Sequence, residues 1–143
     1  MSGARGYLLD TSVVSELIRE RPNRAVAEWL VDQPADTLFV SVITIGELVY
    51  AALRLPDGKR RQRIADWARV DLPAQFAGRV LEFGENHAAA WGQLHAATEA
   101  QGRPRGAIDL QLAATAHAAH LTLATRNVRD FADLELPLCD PWA

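Results

Sequence analysis

Tyr7-Leu8-Leu9-Asp10-Thr11-Ser12-Val13-Val14 is the stretch on which the reading of this chain turns. Three apolar residues end at an aspartate, and two hydroxyl residues follow. The pattern predicts a short buried strand that stops at Asp10 and gives way to a helix, since Thr11 and Ser12 are good N-caps. Helical character runs from Val13 to Arg19 and breaks at Pro22-Asn23. A second helical stretch, Arg24 to Val31, places Val26, Trp29 and Leu30 on one face.

The same alternation continues downstream. Pro34-Ala35-Asp36 reads as a turn, and Leu38-Phe39-Val40-Ser41-Val42 as a buried strand. Thr44-Ile45-Gly46-Glu47 has the spacing of a capping box, and Ile45, Leu48, Val49, Ala52 and Leu53 then follow a helical period. Pro56-Asp57-Gly58 makes a turn. The arginine-rich segment after it reads as a helix through Val70, closed by Leu72-Pro73. Arg79 to Phe83 is a short strand or a helix entry. Glu85 to Ala100 is a helix, and Gln101 to Gly106 a flexible basic loop. Ile108 to His120 is helical and apolar on nearly every face, so it is expected to be buried. Leu121 to Thr125 reads as a strand, Asn127 to Asp133 as a turn or short helix, and Leu136-Pro137-Leu138 as a final edge strand. Strands alternating with helices point to an α/β fold with a central parallel sheet flanked by helices, in one domain over residues 1–143.

Composition is compatible with that fold. Of 143 residues, 49% are apolar and 23% charged, ordinary values for a globular chain that buries a sizeable core. One cysteine, Cys139, excludes an intrachain disulfide and a thiolate metal cage, and suits a reducing cytoplasm. No apolar run reaches the length of a membrane span, and Met1 to Gly6 lacks the apolar stretch of a secretory signal. A formal net charge of −3 argues against passive, charge-driven binding of nucleic acid. The charge is uneven, however. Arg54, Lys59, Arg60, Arg61, Arg63 and Arg69 face only Asp57 and Asp66 in their window. Arginine grips phosphate bidentately, so Lys59, Arg60, Arg61 and Arg63 are candidate RNA contacts; a solvated helix face is the plainer alternative.

The acids fall in a pattern. Asp10 follows the first strand, Glu47 opens the helix after the second, Asp109 lies in the first turn of the buried helix, and Asn127 and Asp130 follow a later strand. In open α/β sheets ligands bind beyond the carboxyl ends of the strands. Carboxylates gathered there repel one another, and a divalent cation is the usual compensation. Hard oxygen ligands select Mg²⁺ or Mn²⁺, and such an ion supports phosphodiester hydrolysis. Each acid also has a plain structural role open to it. Asp10 can cap its helix, Glu47 can complete the capping box with Thr44, Asp109 can favour a helix dipole, and Asp130 can cap a turn.

Four blocks in order, Leu8 to Ser12, Ser41 to Leu48, Asp109 to Ala116 and Leu123 to Phe131, resemble the PIN domain. More closely, they are similar to VapC-type toxins of type II toxin–antitoxin modules in the FitB-like branch. The resemblance covers about residues 7 to 135. It implies a three-layer α/β/α fold and a ribonuclease that uses Mg²⁺, with Mn²⁺ as substitute. It also implies inhibition by a cognate VapB-type antitoxin, and a homodimer. The first three acids of the family fall on Asp10, Glu47 and Asp109, the metal ligands, while Asn127 or Asp130 fills the fourth catalytic position. Thr11 matches a supporting hydroxyl, and Arg126 is a candidate for steadying phosphate. The competing readings are a catalytically silent PIN-like interaction module and a structure-specific nuclease outside toxin–antitoxin systems.

Overall fold

The computed structural model describes residues 6–103 and 106–143. Part of the predicted Gln101–Gly106 loop, and the Met1–Gly6 segment except Gly6, therefore lie outside the described residues. The chain builds β1 (Tyr7–Leu9), α1 (Thr11–Val14) with a 3₁₀ extension (Ser15–Ile18), α2 (Arg24–Asp32) and β2 (Leu38–Ser41). Next come α3 (Val42–Leu53), α4 (Lys59–Asp66), α5 (Leu72–Gln75), β3 (Val80–Leu81) and α6 (Glu85–Ala100). The chain then adds α7 (Ala107–Ala119), β4 (Thr122–Ala124), α8 (Val128–Phe131) and β5 (Leu138–Cys139).

The strands form a parallel sheet in the order β3-β2-β1-β4-β5. Alternate residues of each strand point to opposite faces, and both faces are covered. Leu9, Leu38, Val40 and Ala124 enter one core with Val13, Val26, Leu48, Trp67 and Leu72. Leu8 and Leu123 enter the other with Ala113, Ala116 and Phe131, and Phe39 packs against it. This is the predicted three-layer α/β/α arrangement. Since β1 lies between β2 and β4, the chain winds outward first on one side and then on the other. The crevice at the carboxyl ends of β1 and β4 is thus a topological switch point, where ligands bind in such sheets.

Three local expectations are corrected. The helix after β2 does not open on a Thr44–Glu47 capping box. It opens at Val42, because the Ser41 side chain accepts the Ile43 N–H at 3.0 Å, and this leaves Thr44 and Glu47 inside the first turns. Leu72-Pro73 does not close the arginine-rich helix either. Proline lacks an N–H and crowds the carbonyl four residues back. The chain widens into a π-helical segment at Trp67–Asp71 and continues as α5, with Pro73 in its opening turn, where no N–H is missed. The edge strand β5 also falls at Leu138–Cys139, after Pro137 and not across it. Among the described residues no helix is long and apolar enough to cross a membrane.

Candidate active site

Asp10 sits at the switch point and is 6% exposed. Its backbone N–H donates to the Ala124 carbonyl at 2.9 Å, fastening the end of β1 to the end of β4. Its side chain caps α1, with Oδ1 accepting the Thr11 N–H at 2.8 Å. Oδ2 accepts the Ser12 hydroxyl at 2.9 Å and the Thr125 hydroxyl at 2.7 Å. The capping role is therefore real, and it coexists with a fixed carboxylate at the carboxyl rim. Thr125 is itself held, because its Oγ1 accepts the Asn127 N–H at 3.1 Å.

Glu47 reaches the same rim from α3. The Thr11 hydroxyl donates to its Oε1, and with that proton committed the Thr44 hydroxyl donates to Thr11 Oγ1 at 3.0 Å. Burial pushes the Glu47 carboxyl above its ordinary pKa; the Thr11 bond opposes this, while the charges of Asp10 and Asp109 push it further up. Asp109 stands in the first turn of α7, and burial raises its carboxyl too, helped by the charges of Asp10 and Asp130. Glu47 thus feels the charges of Asp10 and Asp109, and Asp109 those of Asp10 and Asp130, although four separate segments deliver these acids. They do not form a preformed shell. No group of three His, Cys, Asp or Glu side chains among the described residues closes into a ready ligand cage.

Asn127 and Asp130 are exposed, at the start of the α8 turn. Asp130 acts on Asp109 electrostatically, whereas the bond made by Asn127 in this region is through its backbone. The Arg126 N–H donates to Ser12 Oγ at 3.3 Å, and its guanidinium lies 5.4 Å from the centre of the Trp142 ring. A mostly apolar groove of about 650 Å³ opens beside Glu47, lined among others by Thr11, Ile43, Gly46, Tyr50 and Ile108. No residue of the basic window lines it. That window divides: Arg61 binds Asp57 at 2.9 Å and the Leu55 carbonyl, while Arg60 and Arg63 line a separate cleft.

Sequence reasoning missed Thr44, Thr125 and the inward role of Ser12. The signal was available for Thr44, which lies three residues before Glu47 and so shares its helix face. Thr125 is the hydroxyl residue directly after β4, the position in that strand equivalent to Asp10 in β1.

A parallel sheet with this switch point and four interacting acids on its carboxyl rim is the architecture of a nuclease-like α/β domain. The family profile of the PIN domain matches residues 7–135, and the chain belongs to the PIN-domain family. It is 36% identical over 135 residues to the VapC ribonuclease Y4jK of Sinorhizobium fredii, covering 94% of this chain and 96% of that one. It is 34% identical over 135 residues to the toxin FitB of Neisseria gonorrhoeae, covering 94% and 97%. Among solved structures, FitAcB from Neisseria gonorrhoeae superposes with a TM-score of 0.86 at 34% identity, over 95% of this chain and 98% of that one. VapBC-1 from nontypeable Haemophilus influenzae gives 0.79 at 27% identity, over 96% and 98%.

Proposed function

We propose that this chain is a metal-dependent endoribonuclease, the toxin of a toxin–antitoxin pair. One observation carries the reading. Asp10, Glu47 and Asp109, far apart in sequence, act on one another's charge near the switch point, and burial together with these charges raises the proton affinity of Glu47 and Asp109. Like charges gathered with no cationic side chain among them in the described residues are the donor set of a hard divalent ion. Relatives named as ribonucleases and as a toxin, at 34–36% identity over nearly the whole chain, support the same reading.

Asp10, Glu47 and Asp109 would hold Mg²⁺, with Mn²⁺ as substitute. Such an ion, when bound, polarises a phosphoryl oxygen and makes water more acidic. The chain's own residues set the stage. Oδ2 of Asp10 already accepts two hydroxyls, whereas Oδ1 accepts only the Thr11 N–H and keeps a free lone pair for a cation. Thr11 fixes one Glu47 oxygen and leaves the other available. Asp130 and Asn127 stand at the exposed lip, where they can order an attacking water. Arg126 borders the same lip through its backbone bond to Ser12 and is the side chain suited to steadying phosphate. The groove beside Glu47 suits an apolar antitoxin segment, and homodimerisation belongs to the same reading, to be checked by light scattering.

The test is cleavage of labelled RNA in Mg²⁺, in Mn²⁺ and in EDTA. Wild-type protein is expected to cut with either ion and not in EDTA. Asp10→Asn should lose more than about 100-fold, beyond the ~10–100-fold typical of an outer-shell partner. Equal rates for a folded Asp10→Asn protein would remove the assignment.

A further inference from the structure

The acids of the proposed nuclease site also repel RNA. With a net charge of −3 and four carboxylates at the rim, the chain needs a separate cationic surface to hold a polyanion. Several of its described bases are committed elsewhere. Arg24 pairs with Glu28, Arg61 with Asp57 and Arg69 with Asp66. Arg79 is spent on the carbonyls of Ala35, Leu38 and Gln75.

Among the described residues, one place gathers four arginines, three of them without such partners. A cleft of about 520 Å³ between the end of the 3₁₀ extension and α4 has Arg19 and Arg21 on one wall and Arg60 and Arg63 on the other. Ile18 and Ile64 form its apolar lining, and Glu20 is its one acid. Arg21, Arg60 and Arg63 make no ion pair or side-chain hydrogen bond among the described residues. The wall carrying Arg19 is built, not loose. Glu16, 4% exposed, accepts Arg19 Nη1 at 2.9 Å through Oε2 and the Asn23 N–H at 2.6 Å through Oε1. A buried carboxylate thus pins the loop and aims an arginine at the cleft. The helical run from Thr11 to Ile18, four α and four 3₁₀ residues, links Asp10 to this wall. Its length is about 14 Å.

We propose that this four-arginine cleft is a phosphate-backbone site that holds single-stranded RNA a few nucleotides away from the acids. The proposal rests on the ribonuclease reading and adds where the substrate strand is gripped. Arginine forks match phosphate oxygens bidentately, and the isoleucines give a ribose or base edge a dry surface. Glu16 acts as a positioning residue through Arg19. An acidic protein segment is the other polyanion the cleft could take. RNA is favoured because the repulsive acids of the proposed nuclease site make a second grip on the same strand necessary.

The test is binding of a labelled single-stranded RNA to the full chain in EDTA, by fluorescence anisotropy over a salt series. Removing one arginine–phosphate pair should reduce the slope of log K against log salt by about 0.7. Arg60→Ala/Arg63→Ala should therefore flatten the slope by about 1.4, and Arg19→Ala/Arg21→Ala should do the same. Arg60→Lys/Arg63→Lys should keep the slope at weaker affinity, which separates charge from folding. An unchanged slope in both alanine variants, while wild type binds and cuts RNA, overturns the cleft and leaves the nuclease reading standing. A variant that loses a polyglutamate peptide but not RNA also overturns it. Failure of wild type to cut any RNA strikes the nuclease reading instead.

Discussion

The Thr125 hydroxyl donates to Asp10 Oδ2 at 2.7 Å, joining residues 115 positions apart in a buried hydrogen bond. It ties the exit of β4 to the exit of β1 across the switch point. Removing it leaves a buried carboxylate oxygen one donor short, which costs about 1–3 kcal/mol. Thr125→Val is expected to lower stability by that amount in chemical denaturation and to reduce RNA cleavage. Thr125→Ser should retain both. Cleavage unchanged in Thr125→Val would mean that Asp10 needs no fixing.

Thr11 favours the ionised form of Glu47 and so opposes the effect of burial. Its hydroxyl is the influence that lowers the Glu47 pKa, while burial and the charges of Asp10 and Asp109 raise it. Thr11→Val should therefore push Glu47 further up, so that it stays protonated to higher pH. The acidic limb of the pH–rate profile is expected to move toward alkaline pH, and Thr11→Ser should restore it. A limb that does not move would detach Glu47 from catalysis.

Glu47 and Asp109 also set how stability depends on pH. Both bind protons more tightly in the folded state than in the unfolded one. Between the ordinary carboxylate values and their raised ones, the folded state carries more protons, so stability falls as pH rises through that window. Above the window the full penalty persists. Asp109→Asn is thus expected to raise the melting temperature at neutral pH in EDTA. Mg²⁺ should raise it in wild type and much less in the variant. A variant less stable than wild type in EDTA, or equally responsive to Mg²⁺, would contradict the mutual repulsion of these acids.

Two glycines give opposite expectations. A Cβ on Gly6 would collide with the Thr37 carbonyl oxygen, a backbone atom that cannot swing away. Gly6→Ala should cost about 1–3 kcal/mol. A methyl group on Gly46, inside α3, would meet nothing within 4 Å. Gly46→Ala should stabilise by about 0.5–1 kcal/mol through helix propensity. Urea unfolding of the two variants checks both signs.

Much of the fold was legible because the strands are continuous apolar runs that end on marked residues. Leu8-Leu9-Asp10 announces β1 and its first acid together. The acids at 47 and 109 were legible as positions on one rim; their distances from Asp10 were not, since the crossing of α3 and α7 over the sheet sets them. The start of α3 was misread because Thr44 and Glu47 imitate a capping box, while Ser41 ends a strand and caps a helix at once. The π-helical segment was hidden because proline reads locally as a stop, and the buried Trp67 and Ala68 that carry the chain past it belong to the tertiary core. The bond from Thr125 to Asp10 has no local signature at all.

Diffraction from crystals soaked in Mn²⁺ tests the central claim most directly. One anomalous peak is expected about 2 Å from an oxygen of Asp10, with Asp109 or Glu47 beside it, and it should vanish in Asp10→Asn. Protein that cleaves RNA yet shows no peak there, or one held by other residues, would contradict the account.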